Sequence, residues 1–179
     1  MPKNQSFYIT STLPYVNAEP HIGFAYEIVA ADVIARYREG LGGEVFFNTG
    51  TDEHGQKVVN AAEKSGEKIA DYVNRYAAEF KKLKDLLGLS DALEFIRTTE
   101  ARHTRAAQEL WKRCEKDIYQ KEFEGLYCVG CERFLSKRDI IDGKCSIHGT
   151  KPQLLKEKNW FFKFKKYEKN LLKYLKNPN

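Results

Sequence analysis

Four residues in the last third of the chain have the types and spacing of a metal site: Cys128-x2-Cys131 and Cys145-x2-His148, with 13 residues between the pairs. Each pair spans a tight turn and brings two soft donors to one side of it. Together the pairs fill all four positions of a tetrahedral zinc and leave no open coordination place, so the chemistry they imply is structural rather than catalytic. Gly130 lies inside the first turn and Gly149 follows the second. A small module with few apolar residues needs such a crosslink to hold its shape.

A second group is Pro20-His21-Ile22-Gly23, just ahead of a helix-periodic stretch. A helix N-terminus there would aim free amides and the positive end of the dipole at an anion. Gly23 permits close approach, and His21 can donate to phosphate oxygens. A purely structural turn is the plainer use of the same four residues. The third group is Thr49-Gly50-Thr51-Asp52-Glu53-His54-Gly55. A carboxylate at Asp52 can hold a substrate ammonium group, and helix capping by Thr51 or Asp52 is the plainer use. Asp52, Glu53 and His54 make a poor metal triad, because neighbours in extended backbone point to opposite sides. Cys114 stands alone and reads as a small buried hydrophobe.

These groups need elements to position them. Phe7 to Leu13 reads as a strand stopped by Pro14. Tyr26, Val29, Ala30, Val33 and Tyr37 recur at helical spacing and predict an inward stripe that ends at Gly40, Gly42 and Gly43. Glu44 to Thr49 reads as a buried strand, which completes a βαβ crossover with a parallel sheet. A helix over Gln56 to Ser65 follows. The next carries the stripe Ile69, Val73, Tyr76, Phe80, Leu83 and Leu87, closed by Gly88. Leu93 to Arg97 is a third short strand. Thr99 can cap a helix over Glu100 to Lys116, with Ala107, Leu110 and Cys114 facing inward. In such a sheet a ligand binds beyond the carboxyl ends of the strands, where His21 and Asp52 both fall. Composition changes near Ile118, giving short strands, turns and cysteines to about Thr150. From Trp160 an aromatic strand leads into a Lys-rich helix. The expected organisation is residues 1–117 and residues 118–179.

The chain has 179 residues, 42% hydrophobic, 31% charged and 13% aromatic, which excludes collagen-like, low-complexity and disordered classes. No apolar run approaches the roughly 18–20 residues of a membrane span, and no secretory signal opens the chain. A reducing cytoplasm is therefore expected, with the four cysteines free or metal-bound. The net charge of +5 is uneven: residues 149–179 carry nine Lys against Glu157 and Glu168, net +7, and the rest sums to −2. That basic tail can attract phosphates or simply present a solvated lysine face.

The three groups together resemble the class I aminoacyl-tRNA synthetases, and among them the methionyl family. The matching stretches are YITSTLPYVNAEPHIGFAYEIVAADVIARY, FFNTGTDEHGQK, FIRTTEARH and EGLYCVGCERFL…DGKCSIHG, nearly the whole chain. The resemblance implies a Rossmann-like parallel sheet, the N-terminal half of a nucleotide-binding domain, with a small zinc-knuckle connective insert. It implies methionine–tRNA ligation: methionine and ATP give methionyl-adenylate and pyrophosphate, with Mg²⁺ accompanying ATP, and the methionyl group then passes to tRNA. Leu13, Tyr15 and Asp52 match the methionine pocket, with Asp52 on the amino group. His21 and Gly23 match the motif that cradles ATP phosphates, Glu27 matches a position near the adenosine, and Cys128, Cys131, Cys145 and His148 match the knuckle's structural zinc ligands.

Two departures qualify what the resemblance implies. The phosphate motif's last residue is Phe24 instead of histidine, and a lost transition-state donor costs roughly 3 kcal/mol. The family's second catalytic loop, KMSKS, and its anticodon-binding domain are not among the 179 residues; Leu135-Ser136-Lys137-Arg138 lies between the ligand pairs and is no substitute. The chain is thus expected to be the N-terminal part of a synthetase, inactive alone and complemented by a C-terminal half. The rival readings are a non-catalytic zinc-stabilised fragment that binds tRNA or a complementary chain, and a metal-dependent hydrolase using His21, Asp52 and His54.

Overall fold

The computed structural model describes residues 6–176. The chain forms two compact units, the first ending at Thr104 and the second beginning at Arg105. In the first, the elements run β1 (Ser6–Thr10), α1 (Ile22–Gly40), β2 (Glu44–Thr51), α2 (Gln56–Ser65), α3 (Ile69–Leu86) and β3 (Leu93–Arg97). The strands form a parallel sheet in the order β1-β2-β3, with Phe7 beside Val45 and Phe47 beside Leu93. Parallel neighbours require crossovers, and helices supply both. The Phe24 ring of α1 meets Phe80 of α3 edge-on at 5.3 Å, so the two helices share one face of the sheet. Val16, Ile28, Phe47, Val58, Val73 and Leu93 are buried between that face and the helices. The expected parallel α/β sheet is present.

The structure corrects the face of α1. Its buried residues are Phe24, Ile28, Ala31, Asp32 and Ala35, whereas Tyr26 is 77% exposed, Val33 61% and Tyr37 60%. Both faces carry apolar residues at helical spacing, so periodicity alone could not choose. Ala31 and Ala35 let the helix approach the sheet closely, which the bulkier stripe would prevent. Asp32 is tolerated inside because it accepts from Arg36 Nε at 2.6 Å and from the Ser90 amide at 2.6 Å. A buried carboxylate persists only when its lone pairs are used. Strand β1 also stops earlier than Leu13: Ser11 turns its hydroxyl to Thr49 Oγ1 at 2.7 Å and Thr12 gives its amide to Glu27.

Helix α2 spans the expected residues and ends at Gly66, whose φ of 73° is a left-handed C-cap that suits glycine. Helix α3 buries Tyr72, Val73, Ala77 and Phe80, with Tyr76 and Leu83 packed against the same core.

The second unit takes up the rest of α4 (Ala101–Cys114), then β4 (Ile118–Cys128), β5 (Arg133–Phe134), β6 (Ile140–Ile141), β7 (Lys144–Cys145), β8 (Gln153–Phe162) and α5 (Glu168–Lys176). The division between units falls inside α4, ahead of the composition change at Ile118. Where short strands were expected, β4 has 11 residues and pairs antiparallel with the 10-residue β8, from Ile118 opposite Phe162 to Tyr127 opposite Gln153. Charges hid these strands in the sequence, yet the register sets Glu122 opposite Lys158 and Glu124 opposite Lys156. Opposed charges of opposite sign favour such pairing. The expected inward face of α4 is not found: the helix buries nothing, and Leu110 is 64% exposed. Leu171, Leu172 and Leu175 of α5 are likewise exposed.

Asp117 ties the two ends of the long hairpin together. It is buried, accepts from Lys166 Nζ at 2.8 and 2.9 Å and from the Tyr167 hydroxyl, and its carbonyl takes the Lys163 amide at 2.8 Å.

Candidate functional site

Helix α1 begins at His21, whose extended backbone makes it the N-cap. Its Nδ1 accepts the Gly23 amide at 3.1 Å and the Phe24 amide at 3.4 Å. An imidazole that accepts at Nδ1 carries its proton on Nε2, the tautomer that can donate to an anion. A Cβ at Gly23 would sit 3.0 Å from His21 Cε1, so the small residue leaves room for the ring. His21 itself is exposed.

The loop after β1 is stitched to the end of β2. The Asp52 amide donates to the Pro14 carbonyl at 2.9 Å and the Val16 amide to the Asp52 carbonyl at 3.3 Å, an isolated parallel bridge pairing Tyr15 with Asp52. Val16 is fully buried and anchors this loop in the core. Leu13, Tyr15 and Asp52 are thereby gathered beyond the carboxyl ends of two adjacent strands. The Asp52 carboxylate accepts the His54 amide at 3.2 Å, and Lys57 Nζ lies 5.3 Å from the Tyr15 ring centroid. Glu27 joins α1 to this loop by accepting the Thr12 amide at 2.5 Å, and those bonds to Thr12 hold its carboxyl below the ordinary value. The capping role expected of Thr51 or Asp52 is not adopted. Helix α2 starts from Gly55 without a side-chain cap, and the Thr51 hydroxyl donates to Glu53 at 2.8 Å.

Glu53 is a further residue of the site, beyond those the motifs single out. Its side chain has no exposed surface. Arg97 grips it with Nε at 2.6 Å and Nη2 at 3.0 Å, and the hydroxyls of Thr51 and Thr99 complete four donors on one carboxylate. Its amide donates to Thr98 Oγ1 at 2.9 Å, and Arg97 reaches on to Asn74 Oδ1 of α3 at 2.7 Å. The signal the sequence carries is alternation: Glu53 lies two residues beyond Thr51 of β2, on the side that Thr51 buries. A lone arginine in the strand Leu93–Arg97 was its available partner. Thr99, expected to cap α4, spends its hydroxyl on Glu53.

In the second unit Cys128, Cys131, Cys145 and His148 offer one ligand atom each, all within 4.8 Å of one another. Cys131 Sγ is 3.5 Å from Cys145 Sγ and 3.2 Å from His148 Nδ1, and His148 Nδ1 is 3.9 Å from both other sulfurs. Ligand edges of about 3.3–3.8 Å follow from tetrahedral zinc with bonds of about 2.0–2.3 Å, so the donor set suits that ion and the separations lie near those it would set. The cradle fits as well: a Cβ at Gly130 would lie 2.6 Å from His148 Cδ2, where only hydrogen lets the ring in. The Cys131 amide holds the Cys128 thiol down at about 7, while burial pushes Cys131 up to about 11. All four cysteines of the chain are unbridged. Beside the cluster, Ser136 and Asp139 form a capping box around one short helical turn, and the Arg133 guanidinium holds the Asp139 carboxyl well below the carboxylate range. That local role explains Ser136-Lys137-Arg138 without catalysis. Among the described residues, His21, Asp52 and His54 form no second grouping close enough to share an ion.

The chain matches the family described as tRNA synthetases class I (M) over residues 7–141 and 136–179. It is 41% identical to the methionine–tRNA ligase of Thermotoga maritima over 174 residues, covering 94% of this chain and 28% of that protein. With the methionine–tRNA ligase of Clostridium acetobutylicum it shares 38% over 179 residues, 99% of this chain and 28% of the other. Its fold follows that of Mycobacterium tuberculosis methionyl-tRNA synthetase bound by methionyl-adenylate, with a TM-score of 0.88 and 38% identity, over 97% of this chain and 36% of that one. The chain therefore spans 28% of the length of these curated relatives.

Proposed function

The chain belongs to the class I tRNA synthetases, and from that premise we propose that it supplies the methionine and ATP side of a methionine–tRNA ligase active site. The observation that carries this is the Tyr15–Asp52 bridge, which gathers Leu13, Tyr15 and Asp52 beyond the ends of β1 and β2. In this reading Asp52 receives the substrate ammonium, while Leu13 and Tyr15 bound the side-chain pocket. His21 keeps Nδ1 on the helix amides and presents the Nε2 proton to ATP phosphates, with Gly23 giving them room and the α1 dipole adding positive potential. Glu27 lies near the adenosine and fixes the loop that carries Leu13. Charge developing on pyrophosphate needs donors on both of its sides. The chain provides one side, and Phe24 adds no donor to it. The other side, the family's KMSKS loop, would come from a C-terminal half, as would further contacts to tRNA.

Cys128, Cys131, Cys145 and His148 would hold a structural zinc. When bound, the ion crosslinks the hairpin tip and contributes folding free energy; Mg²⁺ would enter with ATP. The unbridged thiols suit a reducing cytoplasm, and among the described residues no helix is long and apolar enough to cross a membrane.

Methionine-dependent exchange of pyrophosphate into ATP tests the reading. A product carrying this chain together with the KMSKS loop is expected to exchange, and Asp52→Ala to lower kcat/KM for methionine by about 10²-fold or more, the scale of a lost charged contact. Residues 1–179 alone are expected to show no methionine-dependent exchange. An Asp52→Ala product that keeps its full kcat/KM for methionine overturns the assignment.

A further inference from the structure

We propose that Glu53 is the positioning residue of the methionine site: its buried carboxylate, gripped by Arg97, Thr51 and Thr99, fixes the backbone from which Asp52 reaches the substrate. This rests on the reading of Asp52 given above.

The geometry is a lever with one clamped end. Asp52 and Glu53 follow directly on the end of β2, and their side chains part company in burial: Asp52 is half-exposed and Glu53 is sealed inside. On the inner side, Glu53 is fully enclosed and accepts four hydrogen bonds, from Thr51, twice from Arg97 and from Thr99. These partners bind the end of β2 to the end of β3 and, through Asn74, to α3. Two backbone contacts repeat the clamp: the Glu53 amide to Thr98 Oγ1, and the Thr98 amide to the Thr51 carbonyl at 3.2 Å. On the outer side, Asp52 is half-exposed and touches the β1 loop through two main-chain bonds, to Pro14 and Val16. The carboxylate that would meet substrate thus has few bonds of its own, and its place is inherited from its neighbour.

Charge completes the argument. Glu53 and Arg97 neutralise each other, so their pair adds no net charge that would compete for the substrate ammonium. The Asp52 charge, with one backbone amide from His54 upon it, is left for that ligand. A neutral residue at 53 would free the Arg97 cation to draw Asp52 toward itself.

The test separates position from reaction. Amide hydrogen exchange is measured on the zinc-loaded 179-residue chain and on Glu53→Gln and Thr99→Val, the second removing a single donor at an exposed site. In Glu53→Gln the Asp52 and Val16 amides are expected to exchange about tenfold or more faster while the core amides of Phe47 and Ala77 change less than about twofold, the pattern of local opening. Thr99→Val should move the same two amides in the same direction by less. In the exchange-active product, Glu53→Gln should raise KM for methionine about tenfold and leave KM for ATP within about twofold. Equal acceleration at all four amides, or unchanged exchange at Asp52, overturns the proposal. If Glu53→Gln does not fold, Thr99→Val decides: no change at Asp52 overturns it, faster exchange confined to Asp52 and Val16 upholds it. If the amides respond as stated but Asp52→Ala leaves methionine activation intact, the functional reading of Asp52 fails while the clamp stands.

Discussion

In the hairpin unit four donors converge because two short turns, Cys128 to Cys131 and Cys145 to His148, each carry their own pair to the tip. In the sheet unit Asp52 and Tyr15 meet only because β1 and β2 are parallel neighbours, Val16 is locked in the core, and Glu53 is clamped to a strand 44 residues further along the chain. The first site is built from local spacing; the second from packing between distant segments. A local site tolerates a poor core but depends wholly on its ligands. A packed site tolerates the loss of one contact but depends on its core.

The largest effect expected from this contrast follows loss of the metal. Purified reduced protein should contain about one zinc per chain, as a closed four-ligand site requires. Cys145→Ser should forfeit most of a binding free energy on the order of 10 kcal/mol. The hairpin tip should then lose its exchange protection, while the amides of α3 and β2 keep theirs. Simultaneous melting of both units in Cys145→Ser would erase the distinction.

A smaller effect is expected in the sheet unit from a single methyl group. A Cβ at Gly50 would lie 1.9 Å from the Ile96 carbonyl oxygen, a backbone atom that cannot swing aside. Gly50→Ala should therefore cost roughly 3 kcal/mol of the first unit's stability in urea unfolding, the upper range for overpacking. Metal content should stay unchanged, and a variant as stable as the parent would mean that β2 and β3 can separate without penalty.

The smallest effect concerns acid. Lys166, then Tyr167, hold the Asp117 carboxyl below its ordinary value. An acid depressed on folding adds stability that is present above its unfolded pKa of about 3.9 and lost as pH falls through the lower folded value. The second unit's melting temperature should thus be flat from pH 7 to about 5 and fall below about 4. Asp117→Asn should lower it at neutral pH and reduce the acid slope, measured by circular dichroism across that range. An unaltered acid slope in the variant would assign the pH dependence to another carboxylate.

The order of elements, the parallel sheet and the Cys3His set were legible from residues 7–148 because each is written in local pattern: strand runs between turns, helix periods, and paired ligands across tight turns. Two of the local readings that failed did so for a common reason. The stripe Tyr26-Val33-Tyr37 obeys the helical period as well as Phe24-Ile28-Ala31-Ala35 does, and the charges of Lys121, Glu122 and Glu124 disguise an 11-residue strand. Which apolar face is buried is settled by how closely a partner surface can approach, and the two alanines let the sheet come near. Whether a charged run pairs is settled by what stands opposite it, here Lys156 and Lys158.

Sequence alone determined which side chains could do chemistry: the three thiols with their imidazole, the histidine at a helix start, and the carboxylate of Asp52. Only the tertiary structure decided that Glu53, next to Asp52, is sealed away against Arg97. Composition makes the two acids equivalents. A carboxylate survives burial only where several donors meet it, and the folded arrangement of β2, β3 and the residues just after β3 brings those donors to Glu53 and not to Asp52.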